Sequence, residues 1–455
     1  MTDVVEILDA IMGSSKTSNT CKWMEENNHI YKFFYISPLL DEVKDGGRIQ
    51  QACPTTRFVS PMTKTEDMKQ PKESQRGVDG HKKVDDLLNL LKMGANITCT
   101  HSLYISMTDE HFKEMEKHNY VLIIDEELGM IDDYKNYSSP DVKSLVKLGC
   151  LSVQESDGML VWKNNDVEEF NEYGHRYYQF KKHVENEMIY VSKRDENMFV
   201  CQLPIKLITI AKRCIILTYM FDGNILSSFL KLKGLKYKSF TDVQVNHVDK
   251  KDIMDKIVLH TPKHPKWDEK VLKLSVTGYH NMSSSDLKHV SNYILSVTKE
   301  YSADDYSTMF TFPKDRCNLS ENKVKIKIKP KGFVDTLVKS KTSPEKICWI
   351  SSSCRATNKY RHKSCVIHAY DRYPNQPVAA YLHDFNCDID VNVFSCSEML
   401  QWIWRSRIRE NKQINLAILS PRMRLLFLNW LHDIPLTNKD YSHFSEYLNY
   451  CKNKR

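Results

Sequence analysis

The chain is poor in glycine, with 14 in 455 residues, so a glycine-lined loop stands out where one occurs. No apolar run approaches the ~18 residues of a membrane span, which argues against a transmembrane helix. The 13 cysteines are odd in number and scattered, with no C-x-x-C pair and no histidine cluster at zinc spacing. That pattern speaks against a disulfide framework and against a structural zinc site, and for reduced thiols in a cytosolic protein. Strong charge bias is also missing. A net charge of +7 permits a nucleic-acid partner without requiring one. The opening Met1-Thr2-Asp3 is acidic and runs directly into a patterned segment, so no signal peptide is expected.

At 455 residues the length calls for two or three domains. The N-terminal half alternates strand and helix signals. Val4 to Met12 is apolar and strand-like, and a helical pattern follows through Cys21, Trp23 and Met24. Phe33 to Ile36 is a second strand, ended by Pro38, and Asn96 to Thr100 a third. Residues 62–80 read as a long polar loop, and Val84 to Leu91 as a helix stopped near Gly94. Tyr120 to Ile124 and Cys214 to Leu217 are continuous apolar runs, as in strands buried on both faces. Such alternation implies a parallel sheet with crossover connections, and phosphate loops and catalytic carboxylates belong at the carboxyl ends of its strands. Residues 131–200, rich in Tyr, Asn, Asp and Glu, read as an insertion in the first domain. A second alternation begins near Met309 to Phe312, with Ile347 to Ile350 as a further apolar segment. The expected division is a first domain over 1–240, a connector over 241–284 and a second domain over 285–455.

Three segments carry chemistry. Ala10 to Thr17 combines a strand, a tight loop, Lys-Thr and a helix, the parts of a phosphate-binding loop. Gly13, Ser14 and Ser15 would cradle phosphates, Lys16 would reach the β- and γ-phosphates, and Thr17 would hold Mg²⁺. Ser15 stands where glycine is usual. About 110 residues on, Leu122-Ile123-Ile124 ends in Asp125-Glu126. There Asp125 would hold Mg²⁺ and Glu126 would activate the attacking water. Gln401 to Arg409 carries three arginines on an expected helix. Arg405 and Arg409, spaced i, i+4, share one face of such a helix and are candidates to stabilise charge on a γ-phosphoryl group.

The ordered set resembles superfamily 2 helicases. Ala10 to Thr17 resembles motif I, Tyr35-Ile36-Ser37-Pro38 motif Ia, and Thr100-His101-Ser102-Leu103 the element after it. Asp125-Glu126 resembles motif II, Leu217 to Met220 motif III, Phe310 to Lys314 motif IV, Arg355 to Tyr360 motif V and Gln401 to Arg409 motif VI. The nearest likeness is to the DEAD/DEAH-type helicases encoded by tailed bacteriophages. It is carried by Ala356-Thr357-Asn358-Lys359-Tyr360, Ser397 to Ser406 and Arg422-Met423-Arg424. The resemblance implies two tandem RecA-like α/β domains binding ATP and Mg²⁺ in the cleft between them. It implies a DNA helicase or translocase, DNA being favoured over RNA, working in phage replication, recombination or repair in the host cytosol. Gln401 joins the catalytic set by this likeness, and Ser37, Thr100, His101, Thr311, Thr357 and Asn358 fall where such proteins touch nucleic acid. Trp404 departs from the motif VI glycine and Ile408 from its second arginine, which leaves the finger between Arg405 and Arg409. Two other readings stay open: a nucleic-acid-binding protein with a slow or inactive ATPase, and an ATP-driven translocase that does not unwind.

Two further features have plainer explanations. Lys323, Lys325, Lys327 and Lys329 alternate with Val324, Ile326 and Ile328, a strand with one lysine face, read as a protected edge with a phosphate-tracking strip as the alternative. Trp402 and Trp404 are expected to pack in the core.

Overall fold

The computed structural model describes residues 2–453 except 136, 138, 164–169, 171, 173, 261–272, 317–327, 329, 334–342 and 355–357. Thr357 and the four lysines Lys323, Lys325, Lys327 and Lys329 fall outside the described residues. The chain is α/β with parallel sheets and divides into two units. The first comprises Met1–Ala10, Ser15–Val245 and Pro374–Asp390, the second Ile11–Ser14, Asn246–Tyr373 and Val391–Arg455.

The first unit is built on strands β1 (Val4–Asp9), β2 (Lys32–Ser37), β3 (Ile97–Thr100) and β4 (Tyr120–Asp125). Three short strands follow in the insertion: β5 (Ile131–Asp133), β6 (Leu151–Val153) and β7 (Leu160–Trp162). Then come β8 (Ile189–Val191), β9 (Phe199–Gln202), β10 (Arg213–Thr218) and β11 (Lys236–Ser239). The main sheet has the order β11-β1-β10-β4-β2-β3 and every pairing in it is parallel. Central position explains composition. Tyr120 to Asp125 is buried throughout because β10 and β2 flank it and side chains cover both faces. The edge strand β11 alternates Lys236 and Lys238 with half-buried Tyr237, a charged edge that resists further pairing. The other edge, β3, is capped by a bridge from Val59 to Ile97.

One face of the sheet packs the helix Lys16–Asn27 through Cys21, Trp23 and Met24 onto Leu8, Phe33, Tyr35, Ile123 and Leu217. The segment 62–80 is not wholly irregular. Thr63 caps a single turn, Lys64–Asp67, with a reciprocal bond to Glu66. The insertion makes its own core from Leu145, Leu160, Phe180, Ile189 and Phe199, around the antiparallel sheet β5-β9-β8 and the hairpin β6-β7. The helix Gln376–Asp384, far along the chain, is also part of the first unit. Its Asp384 carboxylate accepts from the Ser192 hydroxyl and the Lys193 N–H, both at 2.7 Å, and Tyr381 donates to the Asp157 carbonyl at 2.8 Å.

The second unit holds a four-stranded parallel sheet of β12 (Ile257–Leu259), β13 (Thr308–Thr311), β14 (Cys365–His368) and β15 (Ile414–Ile418), in the order β12-β15-β14-β13. The helix Ser284–Glu300 buries Leu287, Val290, Tyr293, Ile294 and Val297 against Phe310, Ile367 and Ala417. The Ile347–Ile350 segment contributes an isolated bridge, Trp349 to Phe310, beside β13. Trp402 and Trp404 are buried, and the Trp402 indole donates to the Ile350 carbonyl at 3.2 Å. Among the described residues, no helix is long and apolar enough to cross a membrane.

Candidate functional site

The carboxyl ends of β1, β10 and β4, three neighbours in the sheet, converge on one place. From β1 the chain turns through Gly13 at φ +89° and reaches Ser15 at φ 64°, ψ 20°, immediately before the helix Lys16–Asn27. From β4 it reaches Glu126 at φ 62°, and just beyond β10 Met220 lies at φ 56°. Non-glycine residues in the left-handed region each cost on the order of 1–2 kcal/mol and persist only where surroundings hold them. The surroundings here do so. The Glu126 N–H donates to the Leu217 carbonyl at 3.0 Å. The Met220 and Phe221 N–H groups donate to the two oxygens of Asp9 at 2.7 and 2.9 Å. Three such residues on adjacent strand ends single this place out as the candidate site.

Lys16 lies at the centre. Its ammonium donates to the Thr218 carbonyl at 2.8 Å and to the Ala10 carbonyl, so it sits over the ends of β10 and β1. The Ser14 hydroxyl is buried and has no partner among the described residues. Gly13 is exposed, and a methyl added there would meet nothing within 4 Å. The Thr17 hydroxyl, half-buried, makes no hydrogen bond among the described residues. An exposed glycine turn, an orphaned buried hydroxyl and a lysine at a helix start fit a phosphate chain. Thr17 and Asp125 offer the hard oxygen donors that Mg²⁺ takes.

Asp125 is 8% exposed and accepts from the Tyr35 hydroxyl at 2.9 Å. Burial pushes its carboxyl up to about 7, and the charges of Glu42 and Glu126 push the same way. Glu42 is held in turn by Arg48 at 2.8 Å and by the Ser37 hydroxyl at 3.1 Å. Glu127 accepts from the Thr218 hydroxyl at 3.3 Å and from the Asn224 amide, which ties the acidic segment to the turn after β10. Sequence reading missed Asp9, Glu42, Arg48 and Asn224. Asp9 alone left a trace, as an acid closing an apolar strand.

The expected nucleic-acid contacts separate on inspection. Ser37 is fully buried, its hydroxyl on Glu42, and Thr311 is fully buried too, so neither side chain faces a ligand from outside. Thr100 and His101 are half-buried at the carboxyl end of β3, where Thr100 caps the turn His101–Tyr104 through the Leu103 N–H at 3.3 Å. A hollow of about 300 Å³ lies beside them, walled by Lys44, Lys83, Thr100 and Leu103. Asn358 is half-buried in the second unit, and its side-chain oxygen has no partner among the described residues.

The arginine segment differs from expectation. The helix Val391–Ile403 ends before Trp404, Ser406 is extended at φ −76°, ψ −175°, and Arg407–Glu410 is a 3₁₀ turn. The i, i+4 argument therefore fails, and Arg405 and Arg409 do not share one helix face. The Ser406 hydroxyl donates to the Ile403 carbonyl at 2.7 Å, a side-chain bond that closes the helix where a continuing turn would run. Arg405 is 3% exposed and Arg409 half-buried. The buried Gln401 amide donates to Ser397 at 3.1 Å.

Residues 251–431 match the family described as the YonV C-terminal Rossmann-like domain. The chain is 27% identical over 437 residues to the SPbeta prophage-derived uncharacterized protein YonV of Bacillus subtilis (strain 168), an alignment covering 94% of this chain and 99% of that protein. Over nearly its whole length, then, this chain is similar to a protein carried by a prophage, and its second sheet lies within a Rossmann-like domain.

Proposed function

We propose that the protein is an ATP-driven nucleic-acid motor of two RecA-like units, a helicase or translocase acting on DNA during phage replication, recombination or repair. The observation that carries this reading is the meeting of the Gly13–Thr17 loop, Asp125-Glu126 and the Thr218–Met220 turn on adjacent strand ends, each with a left-handed residue. In this reading Gly13, Ser14 and Ser15 bind phosphate oxygens through main-chain N–H groups, and Lys16 swings from its carbonyl partners to the β- and γ-phosphates. Thr17 and Asp125 hold Mg²⁺, which when bound neutralises phosphate charge. Glu126 orients the attacking water and takes its proton. Glu127 links this segment to Thr218 and Asn224, a contiguous path from the carboxylates to the next strand end. Arg405 or Arg409 is the finger. Thr100, His101 and Asn358 are the contacts to nucleic acid, with Lys44 and Lys83 beside the first two as phosphate ligands.

The test is ATP turnover by the wild type, Lys16→Ala and Glu126→Gln. Lys16→Ala should neither bind nor hydrolyse, and Glu126→Gln should bind without turnover. Full hydrolysis by either variant removes the assignment. Turnover without strand displacement would favour the translocase. A second reading, a nucleic-acid-binding protein with a slow or inactive ATPase, is favoured by Ser15 in the left-handed position.

A further inference from the structure

A nucleotide on the Gly13–Thr17 loop has a direction. Its γ end faces Asp125 and Glu126, which lie beyond β10 from β1. Its nucleoside end must therefore leave the other way, over β1 toward the edge strand β11. On that side the first unit has a groove of about 640 Å³, lined by Leu8, Asp9, Phe221, Tyr237, Phe240 and Gln244 among others. That volume is within the roughly 300–1,000 Å³ of small-molecule sites.

The groove is built, not incidental. The Phe221 and Tyr237 rings meet edge to face at 5.0 Å, and the Tyr237 hydroxyl donates to Asp222 at 2.7 Å. The Asn19 amide, three residues into the helix that follows the loop, donates to the Gln244 carbonyl at 2.8 Å. The main chain of Gln244 is thus anchored to that helix. Its side chain is exposed and makes no hydrogen bond among the described residues.

We propose that this groove receives the adenine base of ATP and that Gln244 reads its edge. The proposal rests on the phosphate-loop reading and adds the base to it. A carboxamide offers one donor and one acceptor, the pairing that adenine presents through its amino group and ring nitrogen. The equivalent edge of guanine presents two acceptors and pairs poorly with an amide. Asp222, the nearby carboxylate, is engaged by Tyr237.

The experiment is titration calorimetry of the full chain with ATP, GTP and inorganic tripolyphosphate, each with Mg²⁺. ATP should bind about tenfold tighter than GTP, the scale of one bidentate base contact. Gln244→Ala should weaken ATP about tenfold and erase the preference, with tripolyphosphate unchanged. Thr241→Trp, which fills the groove from an exposed position, should do the same. Equal ATP and GTP affinity in the wild type would overturn the proposal. So would an unchanged preference in both variants while Lys16→Ala abolishes binding, an outcome that leaves the phosphate-loop reading standing. Loss of tripolyphosphate in Thr241→Trp would mean that the substitution acts on the loop, and counts against the groove. No binding of any of the three by the wild type removes both readings.

Discussion

Ser15→Gly tests the local physics of the phosphate loop with one hydroxymethyl group. Ser15 sits at φ 64°, ψ 20°. For an L-residue the left-handed region costs about 1–2 kcal/mol. Glycine escapes that cost but gives up about 0.5–1 kcal/mol more chain entropy on folding. The difference favours the variant by about 0–1.5 kcal/mol, up to roughly a tenfold change in the folding equilibrium. Urea unfolding reads it as a higher midpoint at unchanged slope. Removing the Cβ also takes bulk from the loop proposed to wrap phosphate, so on that reading ATP affinity should be equal or tighter and turnover equal or faster. Ser15→Val, β-branched at positive φ, should move both quantities the other way. A Ser15→Gly protein less stable than the wild type by 1 kcal/mol or more would refute the reasoning, because the serine would then be supplying more than its backbone strain removes.

Other expected outcomes follow from the same structure. Arg213 holds Glu6 through two bonds at 2.7 and 2.9 Å and lies over the Trp23 ring, so Arg213→Ala should cost about 3 kcal/mol in denaturant unfolding, with the buried Glu6 left behind. Tyr35→Phe removes a donor from buried Asp125 and should cost about 1.5–3 kcal/mol by the same assay. His368 is buried, and burial together with the Arg372 charge holds its imidazole down to about 3, below an unfolded value of about 6.5. Between those limits the unfolded chain takes up a proton that the folded chain refuses, so stability falls as pH drops through about 6.5, by up to ~1.4 kcal/mol per unit. His368→Leu should flatten that slope, and an unchanged slope would show that His368 is not its source. On the proposed reading, nucleic-acid binding measured from 50 to 200 mM salt should weaken steeply, as phosphate contacts would dominate it, and a flat response would exclude Lys44 and Lys83 as phosphate ligands.

Much of the first sheet was legible because burial on both faces forces continuous apolar runs, as in Tyr120 to Ile124 and Cys214 to Leu217. That Lys16, Thr17, Asp125 and Glu126 fall at neighbouring strand ends was legible because a glycine-turn loop before a helix and an acidic strand end are both local in sequence. The supporting residues were not. Glu42 and Arg48 reach the site from a polar stretch with no periodicity, and their meeting with Asp125 depends on β2 lying beside β4. The return of Gln376–Asp384 to the first unit is equally non-local, set by Tyr381 and Asp384 against the insertion. The arginine segment misled because its residues favour helix, whereas Ser406 bonds back to Ile403 and ends it.

The most direct test of the central claim is ATP hydrolysis measured with no nucleic acid, with single-stranded DNA and with single-stranded RNA, using Lys16→Ala as the control. The account predicts strong stimulation by DNA that disappears in the variant. Absence of turnover under every condition would contradict it, and would mark Ser15 as the sign of a disabled loop in a binding protein.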